Sequence, residues 1–237
     1  YPSMGSSGDA LVFAKYLDIP YKPYTPAETY LFSDKVKQQD LDLQGVAITT
    51  QIRINQDKKT HDGDLLFTHF GVSGPIILHI SELIYARLQK EPVTLYITLT
   101  DADPVILFNE SRTTKDTVMT VLEKITSKRL AKKVMDVSGI ENKRVSDMKK
   151  TEVELISKLL TEFPIPIDRV EVKEKAFVNA GGIDVKALNP QTMESIQSKG
   201  LYFVGESTDL QGPIGGFNIT IALSTGRLAA NHVVSKG

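Results

Sequence analysis

The chain has 237 residues, 41% of them hydrophobic, enough for one large domain or two modest ones with their own cores. Lys plus Arg number 28 against 29 Asp plus Glu, so overall charge makes no case for nucleic acid or an anionic membrane as partner. The absence of Cys excludes disulfides, thiolate catalysis and cysteine-ligated metal, and no apolar run approaches the roughly 18 residues of a spanning helix.

In chain order, Gly8 to Asp18 has the composition of a short helix with Ser6 or Ser7 as its cap, and Pro20, Pro23 and Pro26 then stop it. From Thr29 to Thr100 the pattern is strand-like, with Val46, Ile48, Ile52 and Ile54 among polar neighbours and Asp62-Gly63 as a hairpin turn. One helix interrupts it from about Pro75 to Lys90, with Ser73 as cap, before Val93 to Thr100 resumes the alternation. Asp103-Pro104 opens a helical stretch, with helices expected at Val105 to Ser111, Thr114 to Ile125, Lys128 to Val137 and Lys150 to Phe163. Ser138-Gly139 ends the third, and Pro164 and Pro166 close the group. Val170 to Val172, Ala176 to Val178 and Leu201 to Val204 read as strands, Ala180-Gly181-Gly182 as a turn, and Phe217 to Val234 as the last helix.

The end of the chain carries its chemistry. An apolar strand ends on Gly205-Glu206, Asp209 follows, and Gly215-Gly216 opens a helix. Acidic groups past the carboxyl end of a buried strand lie where open α/β sheets place ligands, and a carboxylate there accepts hydrogen bonds from hydroxyls. Two glycines let the backbone pass close to a planar ring, and a helix N-terminus favours negative charge on it. A loop that serves only chain reversal is the competing explanation.

The segments A-G-G-I-D-V, T-M-E-S, G-L-Y-F-V-G-E, D-L and G-G-F-N-I, between Ala180 and Ile219, resemble a bacterial FAD-dependent oxidoreductase family. Its members are described as aminoacetone oxidase-like, or as flavoproteins related to bile-acid double-bond reductases. L-L-F-T-H-F-G-V-S-G-P at Leu65 to Pro75 and Y-P-S-M-G-S-S-G-D at Tyr1 to Asp9 resemble two further motifs, so the likeness runs over almost the whole chain. It implies an α/β plus α+β fold: a glutathione-reductase-type, Rossmann-like FAD domain of residues 1–25 and 168–237, an inserted antiparallel β-barrel-like subdomain over 26–102, and a helical subdomain over 103–167. It also implies that Gly205, Glu206 and Asp209 lie by the ribityl and phosphate side of FAD, and that Gly215, Gly216, Phe217, Asn218 and Ile219 lie by the isoalloxazine. The family's Gly-rich phosphate loop does not occur in the sequence, and Tyr1 is not an initiator Met. The expectation is a fragment that by itself binds FAD weakly or not at all.

The remaining candidates are weaker. His69 reads as a structural turn residue, His61, His79 and His232 lack paired ligand spacing, and neither Ser73 nor Ser224 sits in a nucleophile elbow. Lys128-Arg129, Lys132-Lys133, Lys143-Arg144 and Lys149-Lys150 give the helical stretch a basic bias, read as solvated helix faces because aromatic stacking residues are missing there. The favoured function is an FAD oxidoreductase passing a hydride or electron pair to or from a small organic substrate, with NAD(P)H or oxygen as the alternatives for its redox partner. The alternative is a noncatalytic interaction module on a flavin-fold remnant. No catalytic acid or base and no metal is assigned, neither nucleic acid nor membrane is expected as a partner, and a cytoplasmic location is expected.

Overall fold

Along the chain the elements run α1 (Asp9–Tyr16), β1 (Tyr21–Ala27), β2 (Leu31–Phe32), α2 (Asp34–Gln38), β3 (Ala47–Ile54), β4 (Thr60–Phe67), β5 (Gly71–Ser73) and α3 (Pro75–Leu88). They continue as β6 (Val93–Ile97), α4 (Pro104–Glu110), α5 (Val118–Ile125), α6 (Lys128–Ser138), α7 (Lys150–Thr161), β7 (Phe163–Ile167), β8 (Arg169–Val170), β9 (Val178–Ile183) and α8 (Phe217–Lys236). The computed structural model describes residues 5–38, 43–172 and 178–236. They divide into one unit of Tyr1–Tyr30, Ile77–Gln89 and Val170–Gly237, and another of Leu31–Ile76 and Lys90–Arg169.

The second unit is built on a seven-stranded sheet in the order β7-β6-β3-β4-β5-β2-β8, in which β3 pairs antiparallel with both β4 and β6. Period-two burial puts Ile52, Ile54, Leu65, Phe67, Leu95 and Ile97 on the covered face. Each such side chain contributes about 1.5–3 kcal/mol by leaving water. Asp62-Gly63 is not the hairpin turn: it lies inside β4, opposite Gln51 and Thr50. The reversal falls at Asn55 instead, which takes φ +48, a backbone conformation that Asn tolerates better than most residues.

The helical stretch connects β6 to β7, which are themselves antiparallel neighbours. Its helices start where side-chain caps allow: Asp103 accepts from the amides of Val105 and Ile106, Thr117 from Thr120 and Ser127 from Leu130. The second helix consequently starts at Val118 rather than Thr114. Gly139, at φ +66, ends α6 as expected. Pro164 and Pro166 do more than close the helices. They pair with Tyr96 and Thr94 within β7, an edge strand of the sheet, where a residue without an N–H is tolerated.

The first unit departs further from the expectation. Gly8, not Ser6 or Ser7, occupies the cap position of α1, in the left-handed region and without a side-chain cap. The Pro20–Pro26 stretch is largely strand, since β1 pairs antiparallel with β9 and a register shift between Lys22 and Thr25 accommodates Pro23. Ala180-Gly181-Gly182 is therefore strand and not turn. Leu201 to Val204 forms only a single antiparallel bridge, Tyr202 opposite Glu194, through Phe203 donating to the Met193 carbonyl and Ser195 to that of Leu201; Leu201 donates to the Ser198 carbonyl and Val204 to Ser207 Oγ, so no longer strand develops. Of the expected strand at Ala176 to Val178, only Val178 lies within the described residues, as does only Gly5 to Asp9 of the N-terminal motif.

Ser73 ends β5 opposite Leu66 rather than capping α3, and Gly74 makes the turn. Gly74 takes φ +100, and a Cβ there would stand 2.6 Å from the Asp64 carbonyl oxygen. Gly74→Ala is expected to cost about 2–4 kcal/mol, strain and clash together. Gly139→Ala, with open space around its Cβ, should cost only about 1 kcal/mol. Urea unfolding of the two variants checks the difference.

Candidate functional site

The predicted site residues all lie in the first unit, after the chain leaves β9. Val204 leads into a short 3-10 turn, Gly205–Ser207, whose first residue takes φ +58. The Gly205 amide donates to Thr225 Oγ1 at 2.9 Å, and a Cβ at Gly205 would stand 3.2 Å from that of Ala222. Gly205 thus serves close packing of the turn on α8. Glu206, the next residue, is exposed on the rim of a cavity of about 630 Å³, together with Ser6, Ser7, Asp9, Tyr24 and Asn179. Burial, with the Glu206 charge adding, raises the pKa of the Tyr24 phenol.

Asp209 is not an open acceptor. Its carboxylate pairs with Lys22 of β1 and its amide donates to the Ile183 carbonyl, so it fastens the loop to both strands of the small sheet. Hydrogen bonding and charge from Asp209 raise the pKa of the Lys22 ammonium, which stays largely exposed.

Gly215 and Gly216 take φ +123 and +88 just before α8. A Cβ at Gly216 would meet nothing within 4 Å, and one at Gly215 would meet only the Phe217 ring. The first turn of the 20-residue helix α8 is therefore approachable from outside along bare backbone, where its leading amides lack helical acceptors. Phe217 and Ile219 are exposed at this end. Asn218 turns back instead: its Oδ1 accepts from the Gly212 amide at 2.7 Å, and its Nδ2 donates to the Gly212 carbonyl and to Glu28 Oε1. This clasp fixes the loop from Gly212 to Gly216.

Glu28 is the residue that sequence reasoning missed. It is a lone acid at the end of β1, outside any motif, and it takes φ +48, which is uncommon for a residue with a side chain. It lines a second cavity of about 300 Å³ with His79, Glu82, Gln211, Gly212 and Pro213. Burial raises the pKa of its carboxyl; the Asn218 amide opposes this and the Glu206 charge adds to it. The positive φ next to Ala27 was the one local signal, and no propensity in the sequence reveals it.

The other candidates have structural surroundings. His69 stacks edge-on against Phe70 in a turn whose Thr68 Oγ1 accepts from the amides of Phe70 and Gly71. His232 hydrogen-bonds to the Tyr202 hydroxyl at 3.0 Å. Among the described residues no three potential metal ligands converge, and no helix is long and apolar enough to cross a membrane.

Because the raised Glu28 favours its neutral form, its contribution to stability is complete below the ordinary carboxylate range and is lost as pH rises through its folded pKa. Glu28→Gln keeps an acceptor for Asn218 and removes the charge. The variant should match the parent's Tm at low pH and exceed it at neutral pH, which thermal unfolding across pH checks.

A family model described as the HI0933-like protein barrel and H2TH domain matches residues 25–178. The ribosomal RNA dihydrouridine synthase of Haemophilus influenzae is 26% identical over 227 residues, covering 94% of this chain and 55% of that protein. The Escherichia coli protein of the same name is 28% identical over 195 residues, covering 81% and 48%. A 3-dehydro-bile acid delta(4,6)-reductase of Clostridium scindens is 26% identical over 247 residues, covering 99% and 59%. The chain spans about half the length of these curated relatives.

Proposed function

Since the chain belongs to the HI0933-like family with its barrel and H2TH domain, we propose that it is part of a flavoprotein reductase acting on a carbon–carbon double bond conjugated to a carbonyl. The relatives' names share this chemistry. Dihydrouridine is uridine saturated at the ring double bond next to a carbonyl, and a 3-oxo delta(4,6) steroid is a conjugated dienone. In this reading residues 1–25 and 168–237 belong to a Rossmann-like FAD domain, interrupted by a β-rich insert over 26–102 and a helical one over 103–167.

The observation that carries the proposal is the bare Gly215-Gly216 backbone at the start of α8, clasped in place by Asn218. A side chain at Gly216 would fill the space that a flat ring system needs, and the helix end beside it favours negative charge on that ring. When bound, FAD supplies hydride chemistry, with a reduced nicotinamide as the proposed source of electrons.

The chain's own residues take the other roles. Glu206 would accept hydrogen bonds from ribityl hydroxyls, and Asp209 would act through Lys22, whose ammonium it holds. Phe217 and Ile219, exposed at the helix start, would give the ring apolar contact. Glu28, which lines the second cavity beside Gly212 and Asn218, is the proposed proton donor to the carbon next to the substrate carbonyl, burial raising the pKa of its carboxyl.

The test uses the complete gene product. It should purify with, or take up, FAD to give a flavin spectrum, and the reduced protein should be reoxidised by a conjugated enone or a uridine-containing substrate. Gly216→Val is expected to weaken FAD by at least about tenfold, roughly 1.4 kcal/mol. A complete product without flavin binding under any loading condition would remove the proposal.

A further inference from the structure

The cavity beside the glycine loop carries charge of one sign. Three stretches of the first unit line it: the end of β1 with Glu28, α3 with His79 and Glu82, and the loop from Gln211 to Ile214. No described Lys or Arg lines it; Glu28 and Glu82 supply its carboxyl groups, and apolar side chains such as Leu78 and Ile214 make up much of the rest. Glu206 adds a third negative charge, close enough to act on Glu28 as it does on Tyr24. Glu82 also acts on Lys22, a cation already paired with Asp209.

The two lining carboxyls differ in their surroundings. Burial favours the neutral form of Glu28, the proposed proton donor. Glu82 is exposed, and its Oε2 accepts from Gln211 Nε2 at 2.6 Å, so the loop holds this carboxylate at the cavity while water still reaches it. A hydrogen bond from a neutral amide leaves the negative charge in place. A sphere of about 300 Å³ is about 8 Å across, close to the Debye length at physiological salt, so a charge anywhere on a bound substrate is only partly screened from Glu82. A negative group is repelled by Glu82 and Glu206 together, whereas a positive one is attracted by both. A positive group also helps the chemistry, because a nearby cation favours the ionised acid and so eases release of the Glu28 proton.

We infer that Glu82 sets the charge preference of this cavity: neutral and ammonium-bearing conjugated carbonyl compounds enter it, and those that carry a carboxylate are turned away. This rests on the reductase reading and narrows its substrate class by charge. Glu82 takes no part in the proton transfer assigned to Glu28. Its role is to select, through a carboxylate that Gln211 keeps in place.

The experiment uses the complete gene product and three cyclohexenones that differ only in a distal substituent: methyl, carboxylate or trimethylammonium. Reoxidation of the reduced protein gives kcat/KM for each, and calorimetry gives the affinity of the corresponding saturated ketones, which requires no turnover. At low salt the ammonium compound should exceed the carboxylate by at least about tenfold in both measurements, with the methyl compound between them, and the gap should narrow in concentrated KCl. Glu82→Gln keeps an acceptor for Gln211 and, with circular dichroism and Tm confirming its fold, should reduce the ammonium-to-carboxylate ratio at least about threefold. Glu154→Gln removes the same charge from α7 of the second unit and should leave that ratio as it is. Equal handling of the charged pair, a preference for the carboxylate, or an unaltered ratio in Glu82→Gln overturns the proposal; should that variant fail to fold, the salt dependence of the parent's ratio decides. A product that reduces the methyl compound but treats the charged pair alike loses the charge preference alone. Ketone binding in the expected order without flavin or turnover upholds the preference and removes the reductase.

Discussion

The first unit depends on a close approach of backbones that only glycine permits. A Cβ at Gly181 would stand 2.3 Å from the Pro23 carbonyl oxygen, and one at Gly182 would stand 2.6 Å from the Thr208 backbone. With no side chain at either position, β9 lies against the bulge in β1 on one side and against the 3-10 turn after Val204 on the other. The Lys22–Asp209 pair and the Asp209 amide bond to Ile183 then tie the same three segments together. The exposed ion pair adds little by itself, so steric fit rather than charge sets this arrangement. Glu28, at the far end of β1, inherits its position from that strand.

The second unit solves a different problem. Two neighbouring antiparallel strands, β6 and β7, are joined by a connection long enough to hold four helices, and the sheet stays in register because Val93 to Ile97 and Phe163 to Ile167 alternate in step. Prolines on the half-exposed face of an edge strand leave no ladder amide unpaired and discourage further pairing. The helices bury apolar sides of their own, Leu130, Ala131, Val134 and Met135 in α6 among them.

Local chemistry made the helical stretch legible in the sequence. Asp103 and Gly139 mark helix ends through partners within four residues, so their signals need no tertiary context, whereas the Thr117 cap was missed and the second helix was expected four residues early. The glycines misled for the opposite reason. Asp62-Gly63 and Ala180-Gly181-Gly182 look like turns, yet in both places glycine makes room for residues distant in sequence, Ile76 at Gly63 and Pro23 and Thr208 at the pair. Of the predicted site, Gly205, Glu206, Gly215 and Gly216 were readable as a pattern, whereas the pairing of Asp209 with Lys22 and the turn of Asn218 toward Gly212 and Glu28 were not.

By itself the sequence determined the helix ends at Asp103-Pro104 and Gly139, the alternation of the sheet strands and a family likeness concentrated in the glycine and acid motifs. Each of these depends on residues a few positions apart, where propensity, capping and period act directly. The tertiary structure decided which glycines turn the chain and which admit a neighbouring backbone. It also decided which acids are spent on ion pairs and which face a cavity. Those outcomes depend on burial and on partners as far apart as Glu28 and Asn218, and a desolvated carboxyl exists only once the chain has folded.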